Sequence, residues 1–160
     1  NPPPFEQRPR GKYVAEANSV VIRLQYGDVS FLFPGVLNGE GAETIWELKG
    51  GIESTIHLVA NFGKGPRFGS KERMLTEVNP EVVIFQYVVP YYGPGKRNYL
   101  PYVQLCEEMG IPHYTTDEVG AVMVTTDGDT YQLKTMSGGE EETSGEEPAP
   151  DKAQEVGVGF

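Results

Sequence analysis

The stretch ANFGKGPRFGS, residues 60–70, combines Gly63, Gly65 and Gly69 with the cations Lys64 and Arg67 and follows the apolar run TIHLVA, which reads as a buried strand. A loop of this kind could wrap a phosphate with its backbone amides, or be what remains of a metal loop whose ligands have been replaced. A phosphate-binding P-loop needs Gly-x-x-x-x-Gly-Lys-Ser/Thr, with the lysine following the second glycine. Here Gly69 is followed by Ser70 and Lys71, so that pattern fails. A looser anion site built from Lys64, Arg67, Lys71 and the amides ahead of a helix at Ser70 stays open, beside the plainer alternative of a flexible surface loop.

A second segment, PYYGPGKRNYLPY, sets Tyr91, Tyr92, Tyr99 and Tyr102 around Lys96 and Arg97. Aromatic rings interleaved with cations suit stacking and phosphate contacts to single strands, and equally a protein interface. The acidic balance of the chain favours the interface. Other candidates are isolated. His57 alternates with Ile56 and Leu58 on a strand and is expected to face one side of a sheet and bond a neighbour. His113 follows Pro112 at the start of another strand. Cys106 falls on the apolar stripe of a helix, where core packing is the natural reading. Asp117 and Glu118 are read as turn residues at the start of a hairpin. No Ser-His-Asp or Cys-His arrangement can be assembled from these residues.

The chain has 160 residues and a formal net charge of −10, a length that suits one domain with a real core. Residues 137–160 hold seven acids against one lysine and so supply −6 of that charge, leaving −4 for residues 1–136. A mildly acidic body argues against a general nucleic-acid surface, which rests on clustered Lys and Arg, although a local basic groove remains compatible with it. The single cysteine excludes an internal disulfide and a cysteine-rich zinc site. No apolar run approaches the roughly 20 residues of a membrane-spanning helix, so this chain is not expected to insert into a membrane. Opening on NPPPF, it reads as a mature or excised segment of something longer.

The elements that must position these residues follow from periodicity and punctuation. Residues 1–17 are an extended, proline-rich lead-in. NSVVIRLQ and DVSFLF are strands joined as a hairpin through Tyr26-Gly27. GEGAETIWELKG sets Ala42, Ile45 and Trp46 at helical spacing, with Gly50-Gly51 as the stop. TIHLVA is a strand. SKERMLTEV, with Ser70 as cap, is a short helix ended by Asn79-Pro80. EVVIFQYVV is a continuous apolar run of the kind buried on both faces. Tyr99 to Met109, with Tyr99, Val103 and Cys106 at helical intervals, forms a helix closed by Gly110. HYTT, AVMVTT and TYQLKT are short strands, the last two joined by Asp127-Gly128 as a type I′ turn. Strands alternating with helices and bracketed by hairpins make an α/β layered domain over 18–136. Residues 137–160 read as a disordered acidic tail, ending in an apolar VGVGF that could dock.

This order of elements resembles the C-terminal half of a metallo-β-lactamase-fold domain, nearest to the branch of DNA-uptake proteins of the ComEC type and their hydrolase relatives. The likeness spans about residues 18–134. It is carried by Asn18-Ser19 opening the first strand, the Tyr26-Gly27 hairpin, and Thr116-Asp117-Glu118-Val119-Gly120-Ala121 near the end. It implies half of an αββα sandwich, a mixed sheet with about three helices and terminal hairpins. The family's chemistry is a two-metal site that activates water for hydrolysis of a phosphodiester or similar bond. Where the family carries Thr-Gly-Asp this chain has Pro34-Gly35-Val36. Where it carries Pro-His-His-Gly-Ser the chain has Ala60-Asn61-Phe62-Gly63-Lys64, and where it carries His-Pro-His-Pro the chain has Asn98-Tyr99-Leu100-Pro101. Val36, Phe62 and Leu100 offer no lone pair, and Asn61 and Asn98 offer at most a carbonyl oxygen. The His-x-His-x-Asp-His motif of the family's N-terminal half is not in this sequence.

The resemblance therefore implies a non-catalytic module without metal or other cofactor, acting in structure or protein–protein interaction. Its partner would be a second copy, a separate N-terminal half, or another subunit, covering an apolar sheet face that three helices leave open. The alternative is the substrate-contacting half of a metal-dependent phosphodiester hydrolase whose ligands lie in a missing N-terminal half. If location carries over, the domain sits outside the cell or on the outer face of the cell membrane.

Overall fold

The computed structural model describes residues 14–47, 51–61, 70–87, 99–137 and 140–143. The chain order is α1 (Val14–Ala17), β1 (Ile22–Tyr26), β2 (Val29–Phe33), α2 (Gly39–Glu47), β3 (Ile56–Leu58), α3 (Ser70–Val78), β4 (Val82–Phe85), α4 (Leu100–Met109), β5 (His113–Thr115), α5 (Thr116–Val119), β6 (Val122–Thr126), β7 (Tyr131–Thr135) and β8 (Glu140–Thr143). The fold is α/β, with a mixed five-stranded sheet in the order β1-β2-β3-β4-β5 and a separate sheet in the order β6-β7-β8. β1 and β2 form an antiparallel hairpin, β2 to β5 run parallel, and the second sheet is antiparallel throughout.

Local chemistry explains the boundaries. Tyr26 pairs with Val29, so the hairpin turns over two residues, and Gly27 supplies the positive φ of 58° that such a turn demands. The Asn38 side chain accepts a hydrogen bond from Gly41 N (3.0 Å) and caps α2. Gly41 itself lies so close to α1 that an added methyl would meet the Ala17 carbonyl and the Leu37 side chain, both at 2.6 Å. Asn79, at φ 47°, turns the chain left-handed after α3, ahead of Pro80. Gly110, at φ 69°, closes α4 by donating to the Cys106 and Glu107 carbonyls. Between β2 and β3, Ser30 and Thr55 exchange reciprocal bonds, each hydroxyl accepting from the other residue's backbone N–H (3.0 and 3.1 Å).

Alternation along the strands sends side chains to two faces, and each face has its own core. On one side Leu32, Val83 and Phe85 meet Leu37 and Ala42, Met74, Leu75 and Val78 of α3, and Tyr102 and Cys106 of α4. On the other, Val29, Ile56, Val82 and Ile84 pack with Tyr131 and Leu133 of β7, joined by Val122 and Val124 of β6. The layers are thus helix, sheet, sheet. All four residues of β4 are buried, as its unbroken apolar run required.

Here one expectation is corrected. The second face of the parallel sheet does not wait for a partner, because the chain's own C-terminal hairpin covers it. The two layers are pinned at their tips: Asp28 N donates to the Gly128 carbonyl at 2.6 Å, and any side chain on Gly27 would run into that same carbonyl. Three further boundaries move. Thr126 pairs with Tyr131, so residues 127–130 form a four-residue loop rather than a type I′ turn. Asp127 Oδ1 closes it by accepting from Asp129 N and Thr130 N (3.0 and 2.8 Å), bonds that hold its carboxyl below the usual range. The folded part begins within the supposed lead-in, at α1. It also runs into the supposed tail, where residues 140–143 pair with β7 as β8.

Candidate functional site at the carboxyl ends of the parallel strands

Ligands of open α/β sheets bind beyond the carboxyl ends of the strands, and in this chain Val36 follows β2, Asn61 follows β3 and Asp117 follows β5 there. After β2, the turn Pro34-Gly35-Val36 is clasped from two sides. Ser19 Oγ donates to the Pro34 carbonyl (3.2 Å) and accepts from Val36 N (3.0 Å). From the other side, Asn61 N donates to the Gly35 carbonyl (2.8 Å). Gly35 sits at φ 61°, with Ser19 Oγ only 2.6 Å from where a Cβ would stand, so only glycine fits. Asn61 is also left-handed, at φ 54°, a conformation that asparagine tolerates better than most residues.

Two of the positions named by the family resemblance, at Val36 and Asn61, are therefore brought together by backbone hydrogen bonding. What they present is an exposed isopropyl group and a buried amide. Leu100 opens α4 as an exposed apolar side chain. Phe62 and Asn98 lie outside the described residues. Among the described residues, no group of three or more His, Cys, Asp or Glu side chains could hold a metal ion.

The second cluster lies at the ends of β4 and β5. Thr116 Oγ1 accepts from Tyr87 N (2.9 Å) and donates to the Tyr87 carbonyl (3.2 Å). Tyr87 packs edge-on against Tyr99, their ring centroids 4.5 Å apart, and the Tyr99 hydroxyl donates to Asp117 Oδ2 at 2.7 Å. Phe85 meets Tyr102 in a T-shaped contact at 5.5 Å. Tyr99 and Tyr102, expected on the rim of an interface, are instead 1% and 0% exposed. Their spacing explains it. Tyr99, the N-cap of α4, and Tyr102 and Cys106 within it recur at helical intervals on the stripe that faces the sheet, and ring burial outweighs what the Tyr102 hydroxyl loses. Tyr91, Tyr92, Lys96 and Arg97 lie outside the described residues.

Of the anion-site residues, Lys64 and Arg67 likewise lie outside the described residues. Lys71, in the first turn of α3, holds its amine 5.7 Å from the centre of the Tyr102 ring. Partial burial there pushes its pKa down. The Tyr102 hydroxyl beneath has no hydrogen-bond partner among the described residues, and burial, followed by the neighbouring Cys106, raises its pKa.

The isolated candidates resolve differently. Cys106 is a buried core thiol, its pKa pushed up to about 12 by burial and then by Glu107. His57 does face one side of the sheet, but its ring is buried with neither nitrogen hydrogen-bonded among the described residues. Desolvation lowers its pKa to about 4, so it is neutral at pH 7. His113 stacks edge-on against Phe85 and places Nδ1 3.2 Å from the Ile111 carbonyl. Asp117 and Glu118 belong to the single turn of α5. Sequence reasoning missed Ser19 and Gly35 as a mechanical pair, although a Gly after Pro at a strand end signals a positive-φ turn. No protein-family model, curated protein or solved structure matches the chain.

Proposed function

We propose that this chain is a non-catalytic module of metallo-β-lactamase-like architecture, half of an αββα sandwich, that works in structure or protein–protein interaction. The observation that carries this is the clasped turn at Gly35. Its backbone is held by Ser19 and Asn61, yet the side chain it presents is that of Val36. A valine cannot coordinate, and an amide such as Asn61 is a weak neutral donor where zinc or manganese would call for imidazole or carboxylate. On this reading the turn is what remains of a site's scaffold, and the groups it presents do not fit a metal.

Elemental analysis of the purified chain after mild dialysis tests this. Zinc and manganese are expected far below one ion per chain; near-stoichiometric metal would contradict the proposal.

One observation favours a second reading, in which the module lends substrate contacts to a hydrolase completed by a ligand-bearing half. Lys71 keeps a partly buried amine beside an aromatic ring at the start of α3, a place suited to an anion. In that case a short single-stranded oligonucleotide should bind with an affinity that falls steeply with salt, and Lys71→Met should weaken it.

A further inference from the structure

Among the described residues, β1 presents an exposed apolar edge. β1 pairs with β2 alone among the described residues, and all five of its residues are exposed. Ile22, Leu24 and Tyr26, at 54%, 53% and 58% exposure, occupy alternate positions and so share one face, continued by Val20 at 75% just before the strand. Their cross-strand partners Phe33, Phe31 and Val29 belong to the sheet face on which β6 and β7 pack, and the Tyr26 ring reaches Gly128 at the tip of that hairpin. The strand has none of the usual edge protections: no proline, no bulge and no charge on this face. Its single charge, Arg23, points to the other face, where it donates to Gln25 Oε1 and to the Glu53 carbonyl, both at 2.7 Å.

Which backbone groups are open follows from the hairpin. Tyr26 and Val29 close a two-residue turn, so they form a hydrogen-bonded pair, and alternation makes Leu24 and Ile22 hydrogen-bonded to β2 as well. The amides and carbonyls of Arg23 and Gln25 therefore point outward. An antiparallel strand adding to this edge must hydrogen-bond to those two residues.

We propose that the added strand is β1 of a second copy, related by a two-fold axis through Leu24. This deepens the interaction reading above and rests on it for its biological sense. In this register Arg23 hydrogen-bonds to Gln25 of the other copy, Ile22 faces Tyr26, and Leu24 faces Leu24, so all five residues pair. The apolar stripes of both copies lie side by side, as aromatic and β-branched cross-strand pairs favour. Sliding by two residues one way sets Arg23 opposite Arg23, a like-charge pair that disfavours itself. Sliding the other way carries Ile22 past the end of its partner strand. Charge and apolar pattern thus select one self-complementary register, which is what a closed dimer needs. The two five-stranded sheets become one ten-stranded sheet.

Sedimentation of the full chain at tens of micromolar, combined with oxidative cross-linking, tests the proposal. A dimer is expected. Leu24→Lys should raise its dissociation constant by about tenfold or more through two facing charges, with an unchanged circular dichroism spectrum. Leu24→Cys places two thiols at a non-hydrogen-bonded pair, close enough for a disulfide, and should give a covalent dimer under mild oxidation. Ile22→Cys, which faces Tyr26, should not, and the wild type with its buried Cys106 should not either. A monomeric wild type, a dimer indifferent to Leu24→Lys, or equal cross-linking at residues 22 and 24 would overturn the proposal. So would a monomer that dimerises only when residues 144–160 are removed, since the chain's own end would then be the occupant. A metal-free monomer would defeat this dimer and leave the loss of metal chemistry standing.

Discussion

Single residues in this chain divide into those that hold the backbone and those buried as neutral groups in its core. Gly35 is of the first kind: its positive φ and the 2.6 Å approach of Ser19 Oγ leave no room for a methyl. Gly35→Ala should cost about 1 to 2 kcal/mol for the left-handed backbone alone, with more for the contact, read as a lowered denaturant midpoint. His57 is a buried neutral imidazole with no hydrogen-bond partner among the described residues. Its pKa, lowered to about 4, means that between roughly pH 6.5 and 4 the unfolded chain binds a proton that the folded chain refuses. Its contribution is therefore complete above about pH 6.5 and is lost as pH falls towards 4, a loss on the order of 3 kcal/mol. His57→Leu should flatten the pH dependence of stability between 7.5 and 5.5 and be neutral or stabilising at pH 7, since an unpaired polar ring is replaced by an apolar group. A variant as pH-sensitive as the wild type would show that other groups set that slope. At this scale the sequence was a partial guide. It placed Cys106 in the core and Tyr99 at the same helical spacing, yet it offered Tyr99 and Tyr102 to an interface rim because the loop beside them is rich in Tyr, Lys and Arg, a composition that says nothing about which way a helix turns its stripe.

At the scale of elements, strands and helices were largely legible, because alternation, apolar runs and the stops at Gly110 and Asn79-Pro80 are local signals. What local signals cannot carry is the pairing of layers. Nothing in AVMVTT or TYQLKT says that Val122, Val124, Tyr131 and Leu133 will roof the parallel sheet over Ile56, Val82 and Ile84. That omission produced the mistaken expectation of an open second face. β8 was invisible for a related reason: nothing local in EEET marks a strand, and it becomes one through the register that sets it against β7. If β6 and β7 are an integral layer, Leu133→Ala should cost about 2 to 5 kcal/mol in a single cooperative transition. Stability indifferent to this change would mean that the second sheet is an appendage. Gly27→Ala, which drives a methyl into the Gly128 carbonyl, should part the two tips and destabilise by a similar route.

Among the described residues the molecule is a helix, sheet and sheet stack with both faces of the parallel sheet covered from within and an exposed apolar edge at β1. At its strand ends a turn clasped by Ser19 and Asn61 presents Val36. On the proposed reading the chain is an interaction module that carries no metal and assembles through an edge. Native mass spectrometry of the full chain, sprayed with two equivalents of zinc, addresses both halves at once. The expected spectrum is a species of about 35 kDa, twice the 17.6 kDa chain, without zinc increments. A species at the mass of one chain carrying one or two zinc ions would contradict it.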